Sequence, residues 1–314
     1  MRLCSFHPAR SNAMRLGAAI ELGDNTAILD LNAASPDIPS DITQFIEAGP
    51  ALLKSAQRLL RSYEAQVGGS IGNAVLHGLE DVKFLPPVPR PGKIISLGVN
   101  YPSHGQEAAH LQAVQHLMSG PPVPRAFAKL PSVLVGHRQP VVYPKATRQL
   151  DYEIELALVI GTRCKNVPLS DWDKVVYGYT IYNDLSMRDL QKGEMESGLL
   201  LLGKNFDNAG PMGPWLVTAD EVPDPHALDL TLTVNGEVRQ HDNTRNMINR
   251  IPAIVEYWSQ MTLEAGDIIS TGTPAGVAIF REPPELYLLK PGDRVAATIS
   301  RLGTLENRIE AEGA

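Results

Sequence analysis

Residues 84–92 read Phe-Leu-Pro-Pro-Val-Pro-Arg-Pro-Gly, four prolines in nine positions. Proline fixes φ and has no N–H to give, so this run can be neither a helix nor a strand inside a sheet. It must be an extended connector, and it cuts the 314-residue chain into a short and a long part. We read residues 1–83 as a small N-terminal domain, 84–92 as a proline-rich linker and 93–314 as the main domain. The same punctuation recurs throughout: 26 Gly and 25 Pro make about 16% of the chain, against about 12% in an average protein. So many turns favour a β-rich fold over a helical bundle.

Before the proline run, strand patterns cover 16–22 and 26–31, and helical patterns cover 42–48 and 52–67. Asp41 and Thr43 stand where a helix N-cap is expected, and Gly68-Gly69 marks a helix end. After the run, strand patterns fall at 93–99, 141–143, 152–160, 175–182, 228–234, 268–270 and 295–299. Asn235-Gly236 is a hairpin signal of the type I′ kind. The turns Glu264-Ala-Gly-Asp267 and Lys290-Pro-Gly-Asp293 each feed an apolar strand. Only 106–118 and 247–260 read as longer helices. Strand–helix alternation is absent, so the class is β-rich α+β and not a doubly wound sheet.

Charge and cysteine usage exclude several functions. With 28 Lys+Arg against 35 Asp+Glu the net charge is −7, and no basic cluster offers a footprint for nucleic acid. No window is apolar enough to span a bilayer, and the N-terminus lacks an apolar stretch of signal-peptide length. Cys4 and Cys164 are far apart and outside any CxxC spacing, so they read as small apolar fillers in a reducing compartment. The cytoplasm is the expected location, with neither nucleic acid nor membrane as partner.

The segment with the most chemical content is Asp151-Tyr-Glu-Ile-Glu-Leu-Ala-Leu-Val-Ile160. A strand alternates faces, so Asp151, Glu153 and Glu155 fall on one side, with Ala157 and Val159 beyond them. Aligned carboxylates repel, and burying one unpaired is costly. Either water solvates this strand end, or a cation neutralises it. A second strand pattern ends in Asp184, with Ser186 placed to cap a following helix. On that helix Arg188 and Gln191 are three apart and share a face. Three carboxylates without His or Cys suit a hard cation, Mg²⁺ or Mn²⁺, with Ca²⁺ a poorer fit because it wants more protein oxygens.

These residues sit inside a longer set of motifs. In order they are KIISLGVNYPSH (93–104), AKLPSVLVG (128–136), LDYEIELALVIG (150–161), GYTIYNDLSMRDLQ (178–191), GKNFDNAGPMGPW (203–215), VNGEVRQ (234–240), LEAGDIISTGTPAGV (263–277) and LKPGD (289–293). On them the chain resembles the fumarylacetoacetate hydrolase superfamily. The run at 281–293 is most similar to the branch that contains fumarylacetoacetate hydrolase domain-containing protein 2. The resemblance implies a mixed β-sandwich or roll as catalytic domain, a small N-terminal α+β domain, and a homodimer.

It also implies roles. Glu153, Glu155 and Asp184 would hold the metal. Arg188 and Gln191 would contact the substrate's carboxylate and keto oxygens, Lys204 would lie near the reacting carbonyl, and Thr273 would bind the carboxylate. His104 and Glu107 would activate water from a lid, and their spacing of three lets a carboxylate orient an imidazole on one helix face. The segment 106–124 is longer than the family pattern, with Leu111, Val114 and Met118 at helical spacing after Glu107. The implied activity is metal-dependent cleavage of a carbon–carbon bond in a β-diketo or acylpyruvate-type acid. The alternative is keto–enol tautomerisation, isomerisation or decarboxylation of an oxaloacetate-like acid in the same site.

Overall fold

The chain is described here in a computed structural model, over residues 1–23, 25–66, 75–119 and 121–313. Its turn-rich sequence folds into a twelve-stranded sheet, a five-stranded sheet and one short two-stranded pairing. The main path of the large sheet runs Leu76–Gly78, Asn25–Asp30, Arg15–Leu22, Arg2–Pro8, Gly210–Thr218, Val176–Asn183, Ile154–Ile160, Ile268–Ser270, Ile94–Leu97 and Ala126–Lys129. Neighbours on this path are antiparallel except Ile268–Ser270 with Ile94–Leu97. The smaller sheet orders Glu237–Asn243, Asp229–Val234, Arg294–Ile299, Gly303–Ala311 and Pro140–Tyr143. The β-rich α+β reading therefore holds.

Every residue of Ile154–Ile160 is buried. The strand lies inside the sheet, between Val176–Asn183 and Ile268–Ser270, which is why its second half is an unbroken apolar run. Asn235 and Gly236 both take positive φ, 52° and 84°, at the end of the Asp229–Val234 hairpin, as a type I′ turn requires. Asp41 caps the helix Ile42–Glu47, its carboxylate accepting from the Thr43 and Gln44 N–H groups. The next helix spans Pro50–Gln66; its expected end at Val67 and Gly68-Gly69 lies outside the described residues.

Two helices differ from their sequence patterns. The expected helix over 106–118 is two short ones, Pro102–Glu107 and Gln112–Met118. The interruption puts Val114 in the core but leaves Met118 44% exposed. The other helix begins at Ile251 and not at Met247, because residues 248 and 249 bond through their backbone N–H groups to Asn100 instead.

The proline run is extended but not free. Residues Val82–Phe84 pair with Arg2–Pro8, the Leu85 N–H donates to the Ser5 carbonyl, and the Ser5 hydroxyl donates to the Pro87 carbonyl at 2.9 Å. Arg2–Pro8, a strand not anticipated from the sequence, also pairs with Gly210–Thr218. Segments before and after the prolines thus share one sheet. Gly136 lies under this crossing: a Cβ there would stand 2.5 Å from the Phe84 carbonyl oxygen and 2.7 Å from the Leu85 carbonyl carbon. Gly136→Ala should cost about 2 kcal/mol in urea unfolding, because backbone and not a mobile side chain blocks the methyl. Gly193→Ala, in the helix Arg188–Glu196 with nothing within 4 Å, should cost nothing.

Candidate active site

The site forms where two neighbouring strands stop pairing. Ile154–Ile160 and Val176–Asn183 pair antiparallel, with a register shift at Val159/Ile160, as far as Ile154 opposite Asn183. Beyond that point the Asn183 side chain takes the Glu153 N–H at 2.9 Å, and the Asp184 N–H donates to the Glu153 carbonyl at 2.9 Å. Glu153, Glu155 and Asp184 converge there, each offering an oxygen within 4.8 Å of the others. All three are buried, and so is Asp151. A solvated strand edge, one of the two outcomes open from the sequence, is excluded.

The structure neutralises most of this charge with its own cations. Lys204 Nζ lies 2.7 Å from Glu153 Oε2 and 3.1 Å from Asp184 Oδ2, and Lys129 Nζ lies 2.6 Å from Asp184 Oδ1. Arg188 spans Asp151 at 2.8 Å and Glu153 at 2.7 Å. Burial alone would raise the Glu153 carboxyl, but Lys204 and Arg188 hold it down at about 2. Burial pulls the Lys129 ammonium below its ordinary range, and Asp184 only partly offsets this. Four buried carboxylates thus face three buried cations. Of these four, Glu155 is the one with no ion pair among the described residues. It accepts from the Ser270 hydroxyl and from the Gly272 N–H at 3.0 Å. Burial, with the charges of Asp184 and Glu153, pushes its carboxyl well above the ordinary range. An all-oxygen triad left one charge short of balance fits a divalent cation.

The remaining expected site residues surround this cluster. Arg188 Nη1 donates to Gln191 Oε1 at 2.9 Å, as their helical spacing predicts. Thr273 is buried beside the cluster, but its hydroxyl is engaged internally. It donates to the Ile154 carbonyl and accepts from Gln240 Nε2, both at 2.9 Å. His104 Nδ1 and Glu107 Oε1 are 2.7 Å apart, and Glu107 Oε2 accepts the Gly276 N–H at 2.9 Å. The structure therefore joins the His104–Glu107 pair to the loop that carries Thr273.

A family model described as fumarylacetoacetate (FAA) hydrolase C-terminal matches residues 93–310. The chain belongs to the fumarylacetoacetate hydrolase family. Among curated relatives, oxaloacetate tautomerase FAHD2A, mitochondrial, from Bos taurus is 38% identical over 310 residues, covering 98% of this chain and 91% of the relative. Among solved structures, maleylpyruvate hydrolase from Sphingobium sp. SYK-6 in complex with manganese (II) ion and pyruvate is 31% identical with TM-score 0.73, covering 99% of each chain. A 5-carboxymethyl-2-hydroxymuconate delta-isomerase from Mycobacterium smegmatis is 29% identical with TM-score 0.72 over 100% of both chains. Proteins similar to this chain are therefore enzymes that hydrolyse, isomerise or tautomerise. No described helix is long and apolar enough to cross a membrane. The Bos taurus relative is mitochondrial by name, and a cytoplasmic place for this chain stays an expectation.

Within this family frame, two local expectations need correction and several residues are added. Ser186 does not cap the following helix. It lies in the short strand Ser186–Met187, its hydroxyl donates to the Asp184 carbonyl at 3.1 Å, and the helix starts after Met187 without a side-chain cap. Asp151 does not continue the stack of acids. It sits in a separate pairing, Leu150–Asp151 with Ser186–Met187, and accepts the Ala278 and Ile279 N–H groups as well as Arg188. Lys129 carried no role in the sequence reading although it stands in one of the matching runs. Its signal was a lysine closing an otherwise apolar strand, Ala126–Lys129. Gln240 and Ser270 likewise stand in matching runs without a role in the sequence reading; each acts through a partner far along the chain.

The raised Glu155 carboxyl has a pH signature. A carboxyl whose folded pKa exceeds its unfolded value stabilises the fold while protonated, and that stability is lost as pH rises through the folded pKa. In EDTA, thermal unfolding between about pH 5 and pH 8 should show the wild type losing stability with rising pH relative to Glu155→Gln. Saturating Mn²⁺ should remove that difference in slope for the wild type and leave the variant unmoved. Parallel pH profiles in EDTA would show that Glu155 is not the unbalanced charge.

Proposed function

We propose that this chain is a divalent-metal-dependent enzyme of small keto acids, catalysing keto–enol tautomerisation of an oxaloacetate-like acid. The observation that carries the choice of reaction is the likeness, over 98% of the chain, to a protein named oxaloacetate tautomerase. A cation held by Glu153, Glu155 and Asp184 would supply Lewis-acid polarisation of the substrate's keto acid oxygens. Mg²⁺ and Mn²⁺ both suit that donor set, and the manganese in the maleylpyruvate hydrolase complex supports the second.

The chain's own residues supply proton transfer and charge. A carboxylate at Nδ1 places the imidazole proton there and leaves Nε2 of His104 free to accept one. His104 takes a proton from the carbon between the keto and carboxylate groups, and a proton is returned to the keto oxygen, so no water is consumed. The Lys204 ammonium, fixed by Glu153 and Asp184, faces the negative charge that develops as the proton leaves. Arg188 and Gln191 are joined to each other and would hold the substrate's oxygens. Thr273 would contact the carboxylate once its hydroxyl turns from the Ile154 carbonyl. The homodimer that the family resemblance implies is part of this reading.

The second reading is hydrolytic cleavage of an acylpyruvate-type acid, favoured by the His104–Glu107 pair and by the likeness to maleylpyruvate hydrolase. There His104 would take a proton from water, which attacks the distal carbonyl; the carbon–carbon bond breaks and the departing carbon is protonated. The two readings separate in one experiment. Loss of the enol absorbance of oxaloacetate should be accelerated by the Mn²⁺-loaded protein and fall to background with EDTA. His104→Ala should lower that rate by about 10²-fold or more. Cleavage of acetylpyruvate or maleylpyruvate without tautomerase activity would instead establish the hydrolase.

A further inference from the structure

The helix Pro102–Glu107 has six residues and no side-chain cap at its N-terminus. So short a helix does not hold itself in place, and its orientation must come from what it touches. Two side chains on it reach adjacent peptide N–H groups of one loop. Ser103 Oγ accepts from the Ala275 N–H at 3.3 Å, and Glu107 Oε2 accepts from the Gly276 N–H at 2.9 Å. Residues 103 and 107 are four apart and so lie on one helix face. Two attachments a full turn apart fix both the tilt of the helix and its rotation about its axis, which a single bond could not do.

Ser103 is itself held from a third direction. Its hydroxyl donates to Asp242 Oδ2 at 3.0 Å, at the end of the strand Glu237–Asn243. Asp242 is oriented for this contact, because its other oxygen accepts from the Asn243 N–H at 2.7 Å and from Asn246 Nδ2 at 2.6 Å. One hydroxyl thus ties together the lid helix, the loop after Thr273 and the hairpin that supplies Gln240 to Thr273. The next residue along the helix is His104, paired with Glu107 at 2.7 Å.

We propose that Ser103, oriented by Asp242, is a positioning residue: it sets the angle at which the His104–Glu107 pair faces the carboxylate cluster. The inference rests on the functional reading above, in which that pair moves the proton. It places the base and the Thr273 loop on one mechanical unit, so the distance between them does not depend on the rest of the extended lid.

The test uses the full-length chain and three variants, Ser103→Ala, Ser103→Thr and Asp242→Ala. With Mn²⁺ and oxaloacetate, Ser103→Ala and Asp242→Ala should lower kcat by about tenfold or more, while KM and the Mn²⁺ binding midpoint stay within about twofold. Ser103→Thr, which keeps the hydroxyl, should restore kcat. Hydrogen exchange of the metal-free chain gives a readout that needs no turnover. Amides of 103–108 should exchange faster by about tenfold or more in Ser103→Ala, with those of 154–160 unchanged. Unchanged exchange at 103–108 overturns the proposal, as does an unchanged kcat in Ser103→Ala or a loss that Ser103→Thr fails to restore. If the parent shows no turnover on any keto acid, the functional reading fails by itself, and the exchange result alone decides whether Ser103 holds the helix.

Discussion

Four carboxylates buried in one place are the constraint on which the rest of this structure depends. Asp151, Glu153, Glu155 and Asp184 are all buried, where an uncompensated charge costs several kcal/mol. Their compensation comes from separate segments of the chain: Lys129 closes a strand at the edge of the large sheet, Arg188 opens a helix, and Lys204 ends a 3₁₀ turn. Each cation must be brought to within hydrogen-bond distance of its acid. The fold around the cluster can be read as the arrangement that does this while leaving Glu155 short of a partner.

The loop of residues 271–281 distributes that arrangement outward. Gly272 takes a positive φ of 87° and passes so close to Asn100 that a Cβ would stand 2.9 Å from the Asn100 Cβ. Asn100, two residues before the helix Pro102–Glu107, in turn bonds the Thr271 carbonyl and the backbone and side chain of Asn249. Further along, the Gly276 N–H holds Glu107, and the Ala278 and Ile279 N–H groups hold Asp151, which orients Arg188. A single run of backbone therefore holds both Glu107, the partner of His104, and Asp151, the partner of Arg188. Phe280 completes it, its ring lying between the imidazoles of His104 and His110 with centroid separations of 6.1 and 5.5 Å.

Much of the fold was legible because local rules agreed with the tertiary outcome. The strands at 268–270 and 141–143, the Asn235-Gly236 turn and the Asp41 cap follow from short-range chemistry that packing did not override. Two acids of the triad, Glu153 and Glu155, were legible from strand alternation, and Asp184 from the end of a second strand pattern; alternation wrongly added Asp151. What failed depended on competition between distant partners. Ser186 carries the right hydroxyl for a cap, but pairing with Leu150–Asp151 keeps it in a strand. The pattern from Gln106 to Met118 has helical spacing, but it breaks after Glu107, where two peptide groups of a remote loop fix the first helix.

The amino-acid sequence by itself determined the class of fold, the family, and the candidate acids Glu153, Glu155 and Asp184 that meet in the buried cluster. Periodicity, turn chemistry and residue type act over a few positions and need no knowledge of the rest. Only the tertiary structure decided how those acids are balanced: that Lys129 and Lys204 share Asp184, that Asp151 serves Arg188 and not the triad, and that Glu155 is left over. Charge balance in a buried site is a sum over groups tens of residues apart. No local pattern encodes which of them meet.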